Sequence, residues 1–255
     1  MTTSPSKKRS FRSVSIYWLL PNILTIAGFV SGLTALRFAM DERWAGVIVL
    51  ISVAAVFDAL DGRTARRFQT SSAFGAALDS LSDLVVFGVV PALCLYVWAL
   101  QGAGTIAWWA TLFYAVSIAL RLARFDSELT DPPDYAKSYF TGIPAPAAGF
   151  IVLLPIVIDL QFNIAIVQDE KWVSTWLVLV GAGAVSSLPT FAGKRMKLPV
   201  ASVLPVLAVI GLLVAAVVTE PWFTYMAVVT AYVVSLPLSL LRFLRERQKH
   251  EKDIC

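Results

Sequence analysis

Four aspartates carry the chemistry this sequence offers. Asp58 and Asp61 are three residues apart, and Asp79 and Asp83 are four apart, inside stretches that are otherwise almost wholly apolar. Such spacings put each pair on one face of a helix. Gly62 and Gly75 lie between the pairs, read here as a loop that lets the two helix ends turn toward each other until four carboxylates share one pocket. Carboxylates brought together repel one another. An aspartate in the bilayer interior costs about 3 kcal/mol, so four at a membrane boundary call for a cation rather than for helix capping. Two divalent ions balance four negative charges, and hard oxygen donors favour Mg²⁺ or Mn²⁺ over zinc or copper. Arg66 stands beside the acids, able to pair with a phosphate or with an aspartate. Glycines without side chains allow a phosphate or a nucleotide ring to approach the backbone closely.

The elements that hold these residues are membrane helices. The chain has 255 residues, 58% of them hydrophobic and 15% charged, with a mean hydropathy of +0.73. Apolar runs of about 20 residues, enough to span a bilayer as helix, recur from end to end. Eight spans are expected: 17–38, 44–60, 76–100, 105–122, 142–160, 172–191, 199–219 and 222–243. Continuous apolar runs exclude a closed β-barrel, whose strands alternate. The expected fold is an all-α polytopic bundle: one membrane domain over 17–243, a basic segment 1–16 before it and a charged tail 244–255 after it. The N-terminal segment resembles the start of a signal peptide, but no small-residue cleavage site follows, so the first helix is expected to be retained. Pro144, Pro146 and Pro155 interrupt the fifth span and Pro237 the eighth, and Gly28, Gly32, Gly181 and Gly183 allow close helix approach.

Basic residues set the orientation. With both termini cytoplasmic, 18 of the 21 Lys and Arg residues fall on the cytoplasmic side, and only Arg37, Arg43 and Lys171 on the other. Such a bias orients a membrane protein and places the four aspartates at the cytoplasmic face. The net charge of +4 is therefore explained by topology, not by nucleic-acid binding. The lone His250 and the distant Cys94 and Cys255 supply no zinc site, disulfide framework or nucleophile–histidine pair.

The complete pattern, Asp58-x2-Asp61-Gly62-x2-Ala65-Arg66-x8-Gly75-x3-Asp79-x3-Asp83, resembles the signature of the CDP-alcohol phosphotransferase family at every motif position. That resemblance implies a two-metal centre on Asp58, Asp61 and Asp79. It implies Asp83 as general base and additional metal contact, and Gly62, Ala65, Arg66 and Gly75 around the cytidine nucleotide and its pyrophosphate. It also implies a homodimer.

Three further stretches resemble the phosphatidylserine synthase branch of the family: Pro21-Asn22-Ile-Leu-Thr25, Arg121-Leu-Ala-Arg124-Phe125, and Phe140-Thr-Gly-Ile-Pro144-Ala-Pro146. The likeness covers roughly residues 17–155, and the last three helices add little. It implies a phospholipid-synthesising enzyme of the bacterial cytoplasmic membrane. Such an enzyme transfers the phosphatidyl group of CDP-diacylglycerol to L-serine and releases CMP. Arg121, Arg124, Asn22 and Lys137 are the candidate contacts for the acceptor or for phosphate, against their alternative role as helix-end anchors. The branch commonly has Asn where this chain has Asp126. Two other readings stand beside this one. The first is the same chemistry with glycerol phosphate, inositol phosphate or choline as acceptor. The second is a divalent-cation transporter, which calls for acids near the bilayer midplane in several helices.

Overall fold

A computed structural model describes residues 16–68, 72–127, 139–191 and 202–254. Helices dominate: α1 (Ile16–Met40), α2 (Trp44–Phe68), α3 (Ala73–Leu100), α4 (Gly104–Ser127), α5 (Ala145–Phe162), α6 (Glu170–Val185), α7 (Val203–Thr219) and α8 (Pro221–Ile254). Six of them, α1 to α5 and α8, are long and apolar enough to cross a membrane, which makes this a multi-pass membrane protein. The other two expected spans correspond to shorter helices, α6 of 16 residues and α7 of 17.

Helix α3 is the hub. It packs on α1, α4 and α5, and its Val86, Phe87, Val90, Cys94 and Leu95 are buried. Small residues on its neighbours let it sit this close. A side chain at Gly32 of α1 would meet Val86, one at Gly149 of α5 would meet Phe87, and Gly88 of α3 itself faces Ile118 of α4. Around the hub, α1 lies along α2, α4 along α6, and α8 against α5 and α7.

Prolines in these helices free carbonyl groups, and neighbouring side chains satisfy them. In a helix the carbonyl of Phe87 would accept from the N–H of residue 91, but residue 91 is proline and has none. The fully buried Tyr114 of α4 donates its hydroxyl to that carbonyl at 2.8 Å. The surrounding turns, Leu84–Val89, are π-helical. Pro155 likewise frees Ile151, whose carbonyl accepts from Trp176 Nε1 at 3.2 Å, and α5 turns at Leu153. Tyr225 of α8 donates to the carbonyl of Phe150 at 2.7 Å. An unsatisfied backbone carbonyl in an apolar interior is costly, so these side chains both permit the bends and lock helix to helix. Tyr114→Phe is expected to lower stability by about 1–3 kcal/mol, read as earlier thermal unfolding in detergent. Unchanged unfolding would show that Phe87 finds another donor.

Past its helices the fold adds a small polar frame that the apolar pattern does not announce. Strand β1 (Tyr139–Thr141) pairs antiparallel with β2 (Pro189–Phe191), Phe140 opposite Thr190. The residues expected to begin and end two spans, 142–144 and 186–191, belong to this frame instead. Gly142 follows β1 with φ +77°, and a side chain there would run into the carbonyl of Ala184. Thr190 donates to the Gly142 carbonyl at 2.9 Å, and Ser239 of α8 donates to that of Pro189 at 2.7 Å. The frame thus ties the segment after α4 to the segment after α6 and to the last helix.

Candidate active site

The loop expected between the aspartate pairs is mostly helix. Apolar residues carry α2 through the bilayer, but it does not stop there: Arg63, Ala65, Arg66 and Arg67 are good helix formers and extend it to Phe68. Gly62 is therefore an interior helical residue. Its role is visible in space: a side chain at Gly62 would meet nothing closer than the Arg66 guanidinium, at 3.6 Å, so the surface above it is open. Helix α3 then begins at Ala73, where Ser72 caps it by accepting from the N–H of Gly75 at 3.0 Å. Gly75 is also helical, in the first turn. A side chain there would press on Asn22 Oδ1 at 3.0 Å and on Ser72 Oγ at 3.1 Å.

Two helices thus supply two carboxylates each. Asp58 and Asp61 of α2 and Asp79 of α3 offer oxygens that all lie within 4.8 Å of one another. Asp83, one turn beyond Asp79, lies within hydrogen-bonding reach of Asp58. All four border a cavity of about 10 Å³, closed on the other sides by Thr25, Gly28, Ser82 and Phe87. The donor set is oxygen only, held at the spacing of one small cation, and Asp61 is 4% exposed. Such a set fits a hard divalent metal and gives a soft one no ligand.

A residue absent from the list of expected contacts also acts here. Thr25 of α1, buried, places its hydroxyl 2.7 Å from Asp61 Oδ2 and 3.0 Å from the Pro21 carbonyl. Donation to the carboxylate aims the other lone pairs of Asp61 at the cavity. Outer partners of this kind typically change metal affinity 10- to 100-fold. Thr25→Val, which keeps the shape and removes the donor, is expected to raise the divalent-ion concentration for half-maximal activity by about tenfold or more. An unchanged metal titration would remove Thr25 from this role.

Beside the carboxylates opens a second cavity, of about 200 Å³. Its wall comes from Pro21, Asn22 and Thr25 of α1, Asp61, Gly62, Ala65 and Arg66 of α2, and Ser72, Gly75, Ala76 and Asp79 of α3 and its cap. All four residues expected around a nucleotide stand on this wall. Asn22, expected at acceptor or phosphate, stands there too, next to Gly75. On the opposite side of α2 runs an apolar cavity of about 970 Å³ between α2, α5, α7 and α8, from Ile48 at one end of its α2 wall to Arg63 at the other. Nothing in the apolar pattern distinguishes its lining from ordinary lipid-facing residues.

The remaining candidates separate in space. Arg121 of α4 is 9% exposed and lies near enough to Asp83 of α3 for their charges to interact. Arg124, one turn on, is engaged with the backbone: it donates to the carbonyl of Ser186 at 3.2 Å. Asp126 falls in the last turn of α4. Lys137 lies outside the described residues.

Comparison with known proteins gives one consistent result. Residues 18–185 match the family described as CDP-alcohol phosphatidyltransferase, and residues 201–237 match CDP-alcohol phosphatidyltransferase 2. A CDP-diacylglycerol–serine O-phosphatidyltransferase of Mycobacterium leprae is 35% identical over 242 residues, 92% of this chain and 78% of that protein. The Mycobacterium tuberculosis protein of the same name is 34% identical over 236 residues, with 92% and 82% covered. One from Helicobacter pylori is 32% identical over 182 residues, with 71% and 75% covered. The likeness therefore runs well past residue 155, where the motifs end, into the last helices. Those helices close the large apolar cavity and bring Ser239 to the frame around β2.

Proposed function

The chain belongs to the CDP-alcohol phosphatidyltransferase family, and from that premise we propose that it transfers the phosphatidyl group of CDP-diacylglycerol to the hydroxyl of L-serine. The products are phosphatidylserine and CMP. The observation that carries this reading is the meeting of four carboxylates from α2 and α3 beside a polar cavity walled by Gly62, Ala65, Arg66 and Gly75. The serine acceptor is supported by relatives that bear that activity in their names and align over most of this chain.

In this reading the nucleotide of the donor occupies the 200 Å³ cavity. The bare backbone at Gly62 and Gly75 admits it, and Arg66 pairs with its phosphates. The apolar cavity along α2 receives the acyl chains, since Arg63 at its end adjoins Gly62 on the nucleotide side. A lipid donor is thus held with its tails in the bilayer and its pyrophosphate at the carboxylates. Asp58, Asp61 and Asp79 hold divalent metal, with Asp83 contributing beside Asp58. When bound, the metal supplies positive charge against the pyrophosphate and the departing CMP. A pair of Mg²⁺ or Mn²⁺ ions matches the four carboxylates in charge.

Asp83 is the general base. It takes the proton from the serine hydroxyl, whose oxygen then attacks the phosphorus attached to the lipid, and the bond to CMP breaks. Asp83 suits the role by position: it lies one turn further into α3 than Asp79, next to the metal-binding group but outside its set of mutually closest oxygens. Thr25, by contrast, is a positioning residue that acts through Asp61.

The reading places α6 and α7 in the membrane as well, giving eight spans with both termini and the active site on the cytoplasmic side of a bacterial membrane. It also includes a homodimer. Cysteine labelling from either side of sealed vesicles tests the topology, and light scattering in detergent tests the dimer.

The acceptor is tested by incubating membranes that contain the protein with CDP-diacylglycerol, Mn²⁺ or Mg²⁺, and radiolabelled L-serine, glycerol phosphate, inositol phosphate or choline in turn. Label is expected in chloroform-soluble lipid from serine alone. Label from another alcohol and none from serine would keep the phosphotransfer chemistry and overturn the serine assignment.

A further inference from the structure

One side chain near Arg121 has no part yet. Tyr232 lies on α8, far beyond Pro146 where the motif stretches end, and lines the apolar cavity close to Val228 and Val229. Its hydroxyl is buried, beside Thr190 of the β-pair and near enough to Arg121 for the two to interact. Arg121 is therefore within electrostatic reach of Asp83 on α3, of Tyr232 on α8 and of Arg124 on its own helix.

This cluster is incomplete as it stands. A guanidinium has five N–H donors in a rigid fork. Buried cations are retained where they are paired and hydrogen-bonded. Arg121 is nine-tenths buried, yet its Nε has no hydrogen-bond partner among the described residues. Arg124 cannot share a structural explanation with it, because Arg124 is tied to the Ser186 carbonyl. Among the described residues the anion within reach of Arg121 is Asp83, which the reaction needs for the acceptor's hydroxyl proton. An acceptor anion placed next to that hydroxyl would give the Arg121 Nε a partner.

We propose that Arg121 and Tyr232 form a carboxylate subsite for the acceptor, selecting a hydroxy-amino acid over alcohols that lack the acid group. This deepens the serine assignment and rests on it. In L-serine the carboxylate and the hydroxyl are carried on adjacent carbons, so an acceptor whose hydroxyl meets Asp83 presents its carboxylate to the guanidinium within electrostatic reach of Asp83. Arg121 takes it with its fork and Tyr232 adds an O–H donor, an arrangement suited to planar carboxylates. The subsite is built from helices α4 and α8 and held by the frame of Thr190 and Ser239. The last helix is then part of acceptor choice rather than only of membrane anchoring.

The test compares wild type, Tyr232→Phe and Arg121→Lys, purified in detergent, with L-serine and with ethanolamine, which is serine without its carboxylate. Loss of one hydrogen bond to a charged group corresponds to roughly 10- to 100-fold in binding. For Tyr232→Phe, the KM for serine is expected to rise about tenfold, with the KM for CDP-diacylglycerol unmoved. Arg121→Lys, which keeps the charge and loses the fork, is expected to show a larger rise of the same kind. Any turnover of ethanolamine is expected to change little in Tyr232→Phe. A serine KM within twofold of wild type, or equal losses for serine and donor, would overturn the subsite. If Tyr232→Phe has no turnover, thermal unfolding decides. Loss of the stabilisation by serine, with that by CDP-diacylglycerol kept, supports the subsite. Retention of both or loss of both overturns it. A wild-type protein that transfers to another alcohol but not to serine overturns the acceptor assignment and this subsite together.

Discussion

Asp61→Asn is expected to lower kcat/KM by at least about a thousandfold, several kcal/mol of transition-state stabilisation, because it removes the charge of the carboxylate best placed to hold the proposed metal. Asp61 is the most buried of the three carboxylates that lie within 4.8 Å of one another, and Thr25 fixes its orientation. The amide keeps the volume and one oxygen but loses the charge, so the fold has little reason to change. Mn²⁺ titration of the purified variant, followed by electron paramagnetic resonance, checks the cause. Weakened Mn²⁺ binding together with lost turnover places the defect at the metal. Full Mn²⁺ binding with lost turnover would move Asp61 out of the ligand set.

Asp83→Asn is expected to give a different profile. Removing a positioned general base costs typically 10²- to 10⁴-fold in rate, so kcat should fall by that order while CDP-diacylglycerol still binds. The residue borders the small cavity with the other three, but its hydrogen-bonding neighbour is Asp58, and Arg121 lies within electrostatic reach of it. Equilibrium binding of donor to the variant, set beside its single-turnover rate, separates the two effects. Loss of donor binding equal to the loss of rate would make Asp83 chiefly a metal ligand; normal turnover would remove it from the base role. The two variants together resolve a carboxylate that binds metal from one that moves a proton.

How far the site could be read from the chain differs from residue to residue. The aspartates were legible because charge in an apolar run is conspicuous, and because helical spacing alone puts Asp58 with Asp61 and Asp79 with Asp83. The positions of Gly62, Ala65, Arg66 and Gly75 on one wall followed from the same motif. Where α2 ends was not legible: hydropathy falls at Asp58, but helix propensity does not, and the helix runs on to Phe68. Gly62, taken for a loop glycine, is an open patch on a helix.

What escaped entirely were partners distant in sequence. Thr25 and Asp61 are 36 residues apart, Tyr114 and Phe87 are 27, and Ser239 and Pro189 are 50. Each is a hydroxyl whose value depends on which helix it faces, and apolar periodicity does not encode that. A signal did exist for some of them. A proline inside a membrane helix announces a free carbonyl four residues earlier, as at Pro91 and Pro155, and a Tyr or Trp on a neighbouring helix is a natural donor. The β1–β2 pair and the position of Tyr232 left no such mark. They depend on how the segments after α4 and α6 come together, which is tertiary structure alone.

The protein moves a phosphatidyl group from CDP-diacylglycerol to serine, and the proposed carboxylate centre makes that transfer depend on divalent metal. The most direct measurement follows CMP release and phosphatidylserine formation together, in sealed proteoliposomes, before and after removal of divalent metal with a chelator. The account predicts one CMP for each phosphatidylserine, both lost on chelation and both restored by Mg²⁺ or Mn²⁺. Phosphatidylserine made at full rate by metal-stripped protein would contradict it, as would a metal-dependent cation flux across the vesicle membrane with no lipid product.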